Sequence, residues 1–562
     1  MNCLLRTTII AGLTGLLASH VALADQNTGL RPAIASAHPL ATLAGMRTLE
    51  RGGNAFDAAI TVSAVLAVVE PTGSGMGGGG FWLLHQADSG RQVMIDGRER
   101  APLAAHRNMY LDSQGQPVPG LSLDGPLAAA IPGQPAALDY LARHYGRLPL
   151  VQSLAPAIRV AKLGFPVGEH YRQMAGLRLE ALREHGAGAV FLDKGRLPGR
   201  GYVLRQPDLA NMLELLAKHG RDGIYAGAFA ERLVDGVREA GGIWSMKDLA
   251  EYNIVEREPI RLSYRGYRAT SAPLPSSGGI VLAQIFNILG GFDLAAIDPV
   301  KRKHLVIEAM RLAYRDRARY LGDSDHVKVN VQELVSAGYT DRLRNDIDPD
   351  AATPSTFMEG TGATRNKGED TTHFSIIDKD GNRVAATLSI NYPFGSGFMV
   401  PGTGMVLNNE MDDFSIKPGV PNVYGLVGNE ANAIAPGKRP LSSMSPTFIE
   451  NEDSVLIIGT PGGSRIISMV LLASLEMMEG RGNVKDWVSL PRYHHQYLPD
   501  SVTIEPGALS VKQRSDLEAM GHSINERDAS YGNMHAVYWN RKAGKLESAS
   551  DPRGEGMAKT GN

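Results

Sequence analysis

A threonine pair within residues 369–375 carries the plainest chemistry in this chain. Thr371 follows Asp370, and residues 371–378 have the composition of a strand. A cut between Asp370 and Thr371 would leave Thr371 with a hydroxyl nucleophile and a free α-amine, a pairing that activates a weak alcohol. An unperturbed α-amino group titrates at about 7.7–8.0, which suits a general base near neutral pH. Thr371 is therefore our candidate nucleophile.

Other segments carry the polar groups that a substrate pocket needs. Residues 408–414 are a dense polar cluster, and residues 441–446 place hydroxyl groups after a turn-rich loop. Residues 459–465 come between a strand-like run and an apolar helix-like stretch, so their N–H groups would form an anion or oxyanion site at a helix N-terminus. Upstream, Arg98 offers a guanidinium fork.

Each of these features also has an ordinary structural explanation. A threonine pair suits a strand, acidic residues lie in solvated turns or cap helices, and serines satisfy loop backbone. Arginines form surface ion pairs, and paired glycines build tight connections. His373, His494 and His495 could suggest a metal site, but their spacing supports no complete ligand set, so we expect structural or surface roles for them.

The elements that must position these groups follow from periodicity. We predict helices over residues 38–51, 55–69, 206–219, 224–240 and 304–320, with Asn54 as an N-cap and Pro299 before the last helix. The turn-like residues 379–382 predict a hairpin between strands 371–378 and 383–391. We expect its register to place Thr371, Ser389 and Asn391 on one face.

Two glycine-rich or polar stretches flank this arrangement. The glycine run at residues 73–80 lacks a phosphate-binding pattern, so we expect close backbone packing beside a site. Residues 346–370 are rich in Thr, Pro, Gly and Asp, which is typical of a mobile segment that a processing reaction can reach.

Composition limits the class of protein. The 562 residues carry a net charge of −2, and 21% of them are charged, as in a soluble globular protein without a nucleic-acid footprint. Arg6, the apolar residues 7–17 and the small-residue site at 22–24 predict an export signal cleaved before Asp25. The only cysteine, Cys3, lies in this signal, so the mature chain would have no disulfide.

Taken together, the motifs resemble the γ-glutamyltranspeptidases, a family of N-terminal nucleophile hydrolases. The similarity runs from residues 52–59 to residues 549–553, with specific segments at 371–375, 408–415, 441–446 and 459–465. It implies an α/β (α+β) fold in which two central β-sheets lie between helical layers, a four-layer αββα sandwich. It also implies self-cleavage into residues 25–370 and 371–562, which remain one intertwined heterodimer.

The resemblance also implies roles for single residues. Thr371 is the nucleophile, and the Ser389 hydroxyl is its hydrogen-bond partner, where some relatives have Thr. The substrate α-ammonium group is held by Asn391, Glu410 and Asp413, and some bacterial relatives have Gln in place of Glu410. The α-carboxylate is bound by Arg98 with help from Ser442 and Ser443, the oxyanion hole is formed by Gly462 and Gly463, and Tyr424 is the gate of a lid loop over residues 417–425.

The activity implied is γ-glutamyl transfer from glutathione or a similar amide to water, an amino acid or a dipeptide, in the periplasm or after secretion. No metal or organic cofactor, nucleic acid or stable membrane insertion is expected. One alternative is a cephalosporin acylase that removes a glutaryl group and needs no α-ammonium site. The other is a catalytically silent periplasmic protein that only binds amino acids.

Overall fold

The computed structural model describes residues 30–355 and 371–561. The predicted signal peptide, residues 1–24, and Asp370 at the predicted cleavage site lie outside the described residues, as does most of the polar segment before Thr371. Among the helices that are described, none combines the length and apolar character needed to cross a membrane.

Helices account for much of the first two thirds of the chain. Short 3-10 turns occur at Pro126–Ala128, Glu410–Asp413, Glu430–Asn432 and Gly463–Arg465. The α-helices within the described ranges are α1 (Pro39–Glu50), α2 (Ala55–Val69), α3 (Gln134–His144), α4 (Leu150–Leu163), α5 (Glu169–Leu177), α6 (Leu179–Glu184), α7 (Gly188–Phe191), α8 (Pro207–His219), α9 (Asp222–Tyr225), α10 (Gly227–Glu239), α11 (Met246–Ala250), α12 (Gly278–Leu289), α13 (Pro299–Tyr320), α14 (Val331–Leu334), α15 (Ala337–Asn345), α16 (Ile466–Met478), α17 (Val484–Ser489) and α18 (Val511–Ala519).

The strands are short and mostly antiparallel. They are β1 (Ala33–Ser36), β2 (Gly79–His85), β3 (Gln92–Gly97), β4 (Phe165–Pro166), β5 (Val203–Leu204), β6 (Val255–Arg257), β7 (Ile260–Tyr264), β8 (Tyr267–Ser271), β9 (Thr372–Ile377), β10 (Arg383–Ser389), β11 (Thr447–Glu450), β12 (Ser454–Gly459), β13 (Tyr493–His494), β14 (Val502–Ile504), β15 (Ile524–Glu526), β16 (His535–Asn540), β17 (Lys545–Ser550) and β18 (Met557–Thr560).

Two large sheets form the centre of the fold. One has the strand order β18-β1-β9-β10-β2-β3-β6, and the other has the order β17-β16-β12-β11-β8-β7. Each sheet contains strands from before residue 355 and strands from after residue 371. A cut between these two parts would therefore leave the sheets held together by inter-strand hydrogen bonds.

The apolar cores explain why the sheets stack in this way. In β2, Phe81 and Leu83 belong to the cluster between the two sheets, whereas Trp82 and Leu84 pack toward the helices of the first layer. This alternation follows from the two-residue period of a strand. A third cluster joins the second sheet to α12, α13 and α16. The predicted αββα sandwich is confirmed.

Most predicted elements are confirmed, with two corrections. Asn54 caps α2 through a capping box with Asp57, as predicted. The predicted helix over 224–240 is two helices, because Ala226 is extended (φ −141°, ψ 167°) between α9 and α10. The prediction that Pro299 precedes its helix is wrong. Pro299 is the first residue of α13, where a missing N–H costs nothing, and Asp298 caps the helix.

The glycine run packs as expected. A Cβ atom on Gly77 would lie 2.0 Å from the Val406 carbonyl oxygen, and one on Gly78 would lie 2.1 Å from the Ser389 carbonyl oxygen. A Cβ atom on Gly73 would lie 3.0 Å from the Thr371 carbonyl oxygen. Only glycine allows the backbone to approach β10 and Thr371 this closely.

Candidate active site

The β9–β10 hairpin positions the candidate nucleophile. Thr372 pairs with Leu388, so Thr371 and Ser389 stand opposite each other on the same face. Their hydroxyl oxygens are 3.4 Å apart, and both residues are buried. The backbone N–H of Asn391 donates to Ser389 Oγ at 2.8 Å, which leaves the Ser389 hydroxyl proton to donate toward Thr371. The predicted register is confirmed for Thr371 and Ser389, whereas Asn391 lies beyond the end of β10.

Asn391 adopts a left-handed backbone conformation (φ 73°) directly after β10. Asparagine tolerates this region better than most residues. Its side-chain Nδ2 donates to the carbonyl oxygen of Asn409 at 2.9 Å, which ties the end of β10 to the polar segment before Glu410. Asn391 thereby lines the same small cavity as Thr371.

Arg98 lies immediately after β3 and is fully buried among carboxylates. Its Nη1 is 2.6 Å from Glu410 Oε2, and its Nη2 donates to Asp413 Oδ2 at 2.5 Å. Burial alone would lower the pKa of Arg98, but Glu410, Asp413 and Glu99 outweigh that effect and raise it. The groups predicted to bind the two ends of a substrate are therefore paired with each other in this structure.

Glu99 is a further acid that the sequence reasoning did not assign. Its Oε2 lies 3.5 Å from Arg98 Nη1, and within the described ranges neither of its oxygens has a hydrogen-bond partner. Burial raises the pKa of Glu99 to about 7, against the opposing effect of Arg98. Burial also raises the pKa of Glu410 well above its ordinary value. Three carboxyl groups, those of Glu99, Glu410 and Asp413, therefore face the single Arg98 guanidinium, and burial favours the neutral form of two of them, Glu99 and Glu410. The signal in the sequence that could have identified Glu99 is its position directly after Arg98.

The two serines of the 441–446 segment are held differently. Ser442 Oγ accepts from the Met444 backbone N–H at 3.1 Å. Ser443 Oγ accepts from Arg317 Nη2 at 3.2 Å, and Arg317 Nε donates to Ser277 Oγ. Arg317 is a second buried guanidinium at the cavity, and the sequence reasoning missed it. The signal in the sequence that could have identified Arg317 is a charged side chain on the face of α13 that packs into the core.

The paired glycines stand at the entrance to α16. Gly462 and Gly463 have φ values of 137° and 56°, which favour glycine, and a 3-10 turn from Gly463 leads into the helix. Gly463 lines the cavity with Thr371, whereas Gly462 does not. A Cβ atom on Gly463 would lie 2.5 Å from the Tyr424 ring. The structure therefore brings one of the two predicted oxyanion residues to the cavity wall.

The segment predicted as a lid, residues 417–425, contacts the cavity through Tyr424. Tyr424 is buried, and its hydroxyl donates to the Asn391 carbonyl oxygen. Val423 N–H donates to Asp412 Oδ2 at 2.9 Å, and Asn422 Nδ2 donates to Asp413 Oδ1 at 3.2 Å. The cavity beneath has a volume of about 20 Å³, room for roughly one water molecule. With these contacts in place, this cavity is too small to hold a substrate.

A second cavity reaches Thr371 and has a volume of about 300 Å³. Charged side chains of both signs line it, among them Glu70, Glu555 and Arg553. Burial raises the pKa of Glu70 to about 8, although the Thr372 hydroxyl acts in the opposite direction. Thr371 therefore stands between a small closed pocket and a larger space.

None of the three histidines considered as metal ligands lines either cavity at Thr371. His373 contacts the Thr387 and Ser375 hydroxyls, and His494 contacts Ser468 and Gln496. His495 contacts Asp500. Their hydrogen bonds are structural, as expected.

Comparison with known proteins identifies the family and the relatives that this chain resembles. The sequence profile described as Gamma-glutamyltranspeptidase matches residues 41–561. A glutathione hydrolase proenzyme from a Pseudomonas species is 42% identical over 93% of this chain and 91% of its own length. The Escherichia coli glutathione hydrolase proenzyme is 41% identical over 92% and 90%. The crystal structure of cephalosporin acylase from Bacillus halodurans superposes with a TM-score of 0.83 at 30% identity, covering 94% of this chain and 96% of that one.

Proposed function

The chain belongs to the gamma-glutamyltranspeptidase family, and we propose that Thr371 is the nucleophile with which it transfers γ-glutamyl groups from glutathione and related amides. The observation that carries this proposal is the pairing of the Thr371 and Ser389 hydroxyls at 3.4 Å, at the wall of a closed pocket built around Arg98. The acceptor is water, an amino acid or a dipeptide.

Recognition of the substrate is an exchange of ion pairs. In this structure Arg98 forms ion pairs with Glu410 and Asp413. A γ-glutamyl group brings an α-carboxylate for Arg98 and an α-ammonium group for the two acids, so each buried charge keeps a partner. A bidentate guanidinium matches a carboxylate better than an ammonium group would. Ser443, held by Arg317, supplies a further hydroxyl at the carboxylate end.

Catalysis then follows from the position of Thr371. Its α-amine takes the hydroxyl proton, and its oxygen attacks the γ-carbonyl carbon. The Gly463 N–H, with that of Gly462, stabilises the tetrahedral oxyanion, and loss of one such donor costs about 2.7–4 kcal/mol in comparable sites. The amide C–N bond breaks, the amine leaves with a proton, and the acceptor attacks the resulting ester. The larger cavity beside Thr371 gives the leaving amine and the acceptor a place to bind.

The α-amine has to be created by processing. The Thr371 hydroxyl attacks the carbonyl carbon of Asp370, an N-to-O shift forms an ester, and water hydrolyses it. The products, residues 25–370 and 371–562, stay together because each central sheet contains strands from both. Removal of residues 1–24 as a signal peptide would place the enzyme in the periplasm or outside the cell.

The acylase alternative rests on the similarity to the Bacillus halodurans structure. A glutaryl group has the terminal carboxylate but lacks the α-ammonium group. Its binding to Arg98 would take the guanidinium away from the carboxyl groups of Glu410 and Asp413 and would supply no cation in return, which is costly for acids in this environment. The acid cluster therefore favours a γ-glutamyl substrate.

One preparation tests the proposal in two ways. N-terminal sequencing of the smaller band on a denaturing gel should begin at Thr371. The same sample should release chromophore from a γ-glutamyl anilide much faster than from the matching glutaryl anilide, which differs only in the α-amino group. An intact chain that binds glutamate without turnover would indicate the silent binding protein. Faster release from the glutaryl anilide would indicate the acylase.

A further inference from the structure

Three buried side chains remote in sequence converge on one point away from Thr371. His304 and Glu308 lie one turn apart on α13, and His522 lies just after α18. All three are buried, and one potential ligand atom from each lies within 4.8 Å of the others. None of them lines either cavity that reaches Thr371.

The tautomer of His304 can be derived from its contacts. Its Nε2 is 2.8 Å from the carbonyl oxygen of Asp348, which can only accept, so Nε2 carries the proton. Its Nδ1 therefore presents a lone pair, and that atom lies 2.8 Å from Nε2 of His522. Metal-ligating histidines characteristically donate their other ring N–H to a carbonyl or carboxylate in this way.

The two carboxylate oxygens of Glu308 differ in their hydrogen bonds, and only one of them is strongly bonded. Arg311 donates to Oε2 through Nε at 3.1 Å and Nη2 at 2.9 Å. Oε1 accepts only a long contact, 3.4 Å, from the Thr353 N–H among the residues described here. A cation at Oε1 would leave the carboxylate's contact with Arg311 in place.

We propose that His304, Glu308 and His522 bind a divalent transition-metal ion, with zinc as the natural occupant. Two imidazole nitrogens and one carboxylate oxygen are a common ligand set for zinc, with bonds of about 2.0–2.2 Å. Tetrahedral ligands at that bond length are about 3.4 Å apart. His522 Nε2 would give up the proton with which it now donates to His304 Nδ1, and the neutral ring would carry its proton on Nδ1 instead. The two ligand nitrogens would separate slightly and Glu308 would approach, while water completes the coordination.

The bound ion would link two parts of the chain that the proposed cleavage separates. His304 and Glu308 precede residue 355, and His522 follows residue 371. The neighbouring segment is already attached there, since Ala352 N–H donates to the Met520 carbonyl oxygen at 2.6 Å. The site is therefore structural: it would stabilise the association of the two fragments without taking part in γ-glutamyl transfer.

Metal content of the purified full-length enzyme tests the inference. After incubation with zinc and dialysis, an untagged preparation should retain about one zinc per chain by mass spectrometry, and a chelator should lower its thermal midpoint. His522→Ala and Glu308→Gln should each reduce retained zinc at least tenfold. His219→Ala, which changes an exposed histidine at the end of α8, should retain zinc fully.

Two results would overturn the proposal. Absence of retained zinc in the unaltered enzyme, with a thermal midpoint that neither zinc nor chelator moves, would show that the two histidines form only a neutral hydrogen bond. Equal zinc in the enzyme and both cluster variants would place the metal elsewhere. If a variant fails to fold, the unaltered enzyme is loaded with cobalt and dialysed instead. Visible absorption bands from cobalt bound to nitrogen and oxygen ligands would support the site, and the absence of such bands would contradict it. The anilide assay is independent of all these outcomes.

Discussion

Arg98 Nη1 lies 2.6 Å from Glu410 Oε2, so the residues assigned to opposite ends of the substrate form a buried ion pair with each other. The contact is close but lacks hydrogen-bond geometry, and neither Glu410 oxygen has a hydrogen-bond partner in the described part of the chain. A zwitterionic ligand can improve on this arrangement by giving each group a better partner. The charges of the pocket therefore complement a ligand that carries both a carboxylate and an ammonium group.

Replacement of Arg98 tests this relationship. We expect Arg98→Ala to raise the KM for a γ-glutamyl anilide at least tenfold and still to be processed at Thr371. Removing one partner of a buried ion pair typically costs about 3–5 kcal/mol, so the thermal midpoint should also fall. Arg98→Lys keeps the positive charge but not the bidentate guanidinium, so its KM should lie between those of the unaltered enzyme and Arg98→Ala. An unchanged KM in Arg98→Ala would contradict the assignment.

Thr371 is expected to serve both reactions. Thr371→Ala removes the attacking oxygen, so the gel should show an uncut chain and the anilide assay should show no release. Thr371→Ser retains a hydroxyl and an α-amine and should be processed, more slowly. Normal processing of purified Thr371→Ala would exclude self-cleavage by this residue.

Ser389 should affect rate more than affinity, because it contacts Thr371 and lies beside rather than within the charged end of the pocket. A net hydrogen bond to a reacting group is worth about 1–3 kcal/mol, so Ser389→Ala should lower kcat roughly 5- to 150-fold. Ser389→Thr preserves the hydroxyl and serves as the matched control. Equal kcat values in all three proteins would remove Ser389 from the mechanism.

Tyr424 anchors residues 417–425, the predicted lid, through its hydroxyl and its ring. Tyr424→Phe removes the hydrogen bond to the Asn391 carbonyl oxygen but keeps the ring against Gly463. We expect a more open loop, seen as faster proteolysis of residues 417–425, and a higher KM. Gly463→Ala would force the ring outward because its Cβ would overlap it. Unaltered proteolysis in both variants would show that other contacts hold the loop.

Asp412 should make stability depend on pH. Burial raises its pKa to about 7, against the opposing hydrogen bonds from Val423 and Ser122. Between about pH 4 and pH 7 this carboxyl is protonated in the folded protein and ionised in the unfolded chain. Unfolding then releases a proton. The contribution of Asp412 to the free energy of unfolding is therefore complete below pH 4 and falls by about 1.4 kcal/mol per pH unit until about pH 7.

Thermal midpoints from pH 4.5 to pH 8 measure this effect. Asp412→Asn keeps the shape of the side chain but cannot ionise, so its midpoint should fall less steeply with pH than that of the unaltered enzyme below pH 7. Parallel curves for the two proteins would show that Asp412 does not titrate in this window.

Much of the site could be predicted because local sequence controls it. The turn at residues 379–382 sets the hairpin register, and the two-residue period of strands then places Thr371 opposite Ser389. The glycine run at 73–80 similarly implied close backbone approach. Errors occurred where local signals were ambiguous: Ala226 interrupts a helix-like pattern, and Pro299 is equally compatible with a position before or at the start of α13.

By itself, the sequence determined the candidate nucleophile, its hairpin and the order of the polar motifs, because these depend on neighbouring residues and short-range periodicity. Only the tertiary structure decided that Arg98 pairs with Glu410 and Asp413, that Glu99 and Arg317 join the site, and that His304 meets His522. Apart from the contact between the neighbours Arg98 and Glu99, those contacts link residues tens to hundreds of positions apart. Their strength depends on burial, which raises the energetic cost of every charge left without a partner.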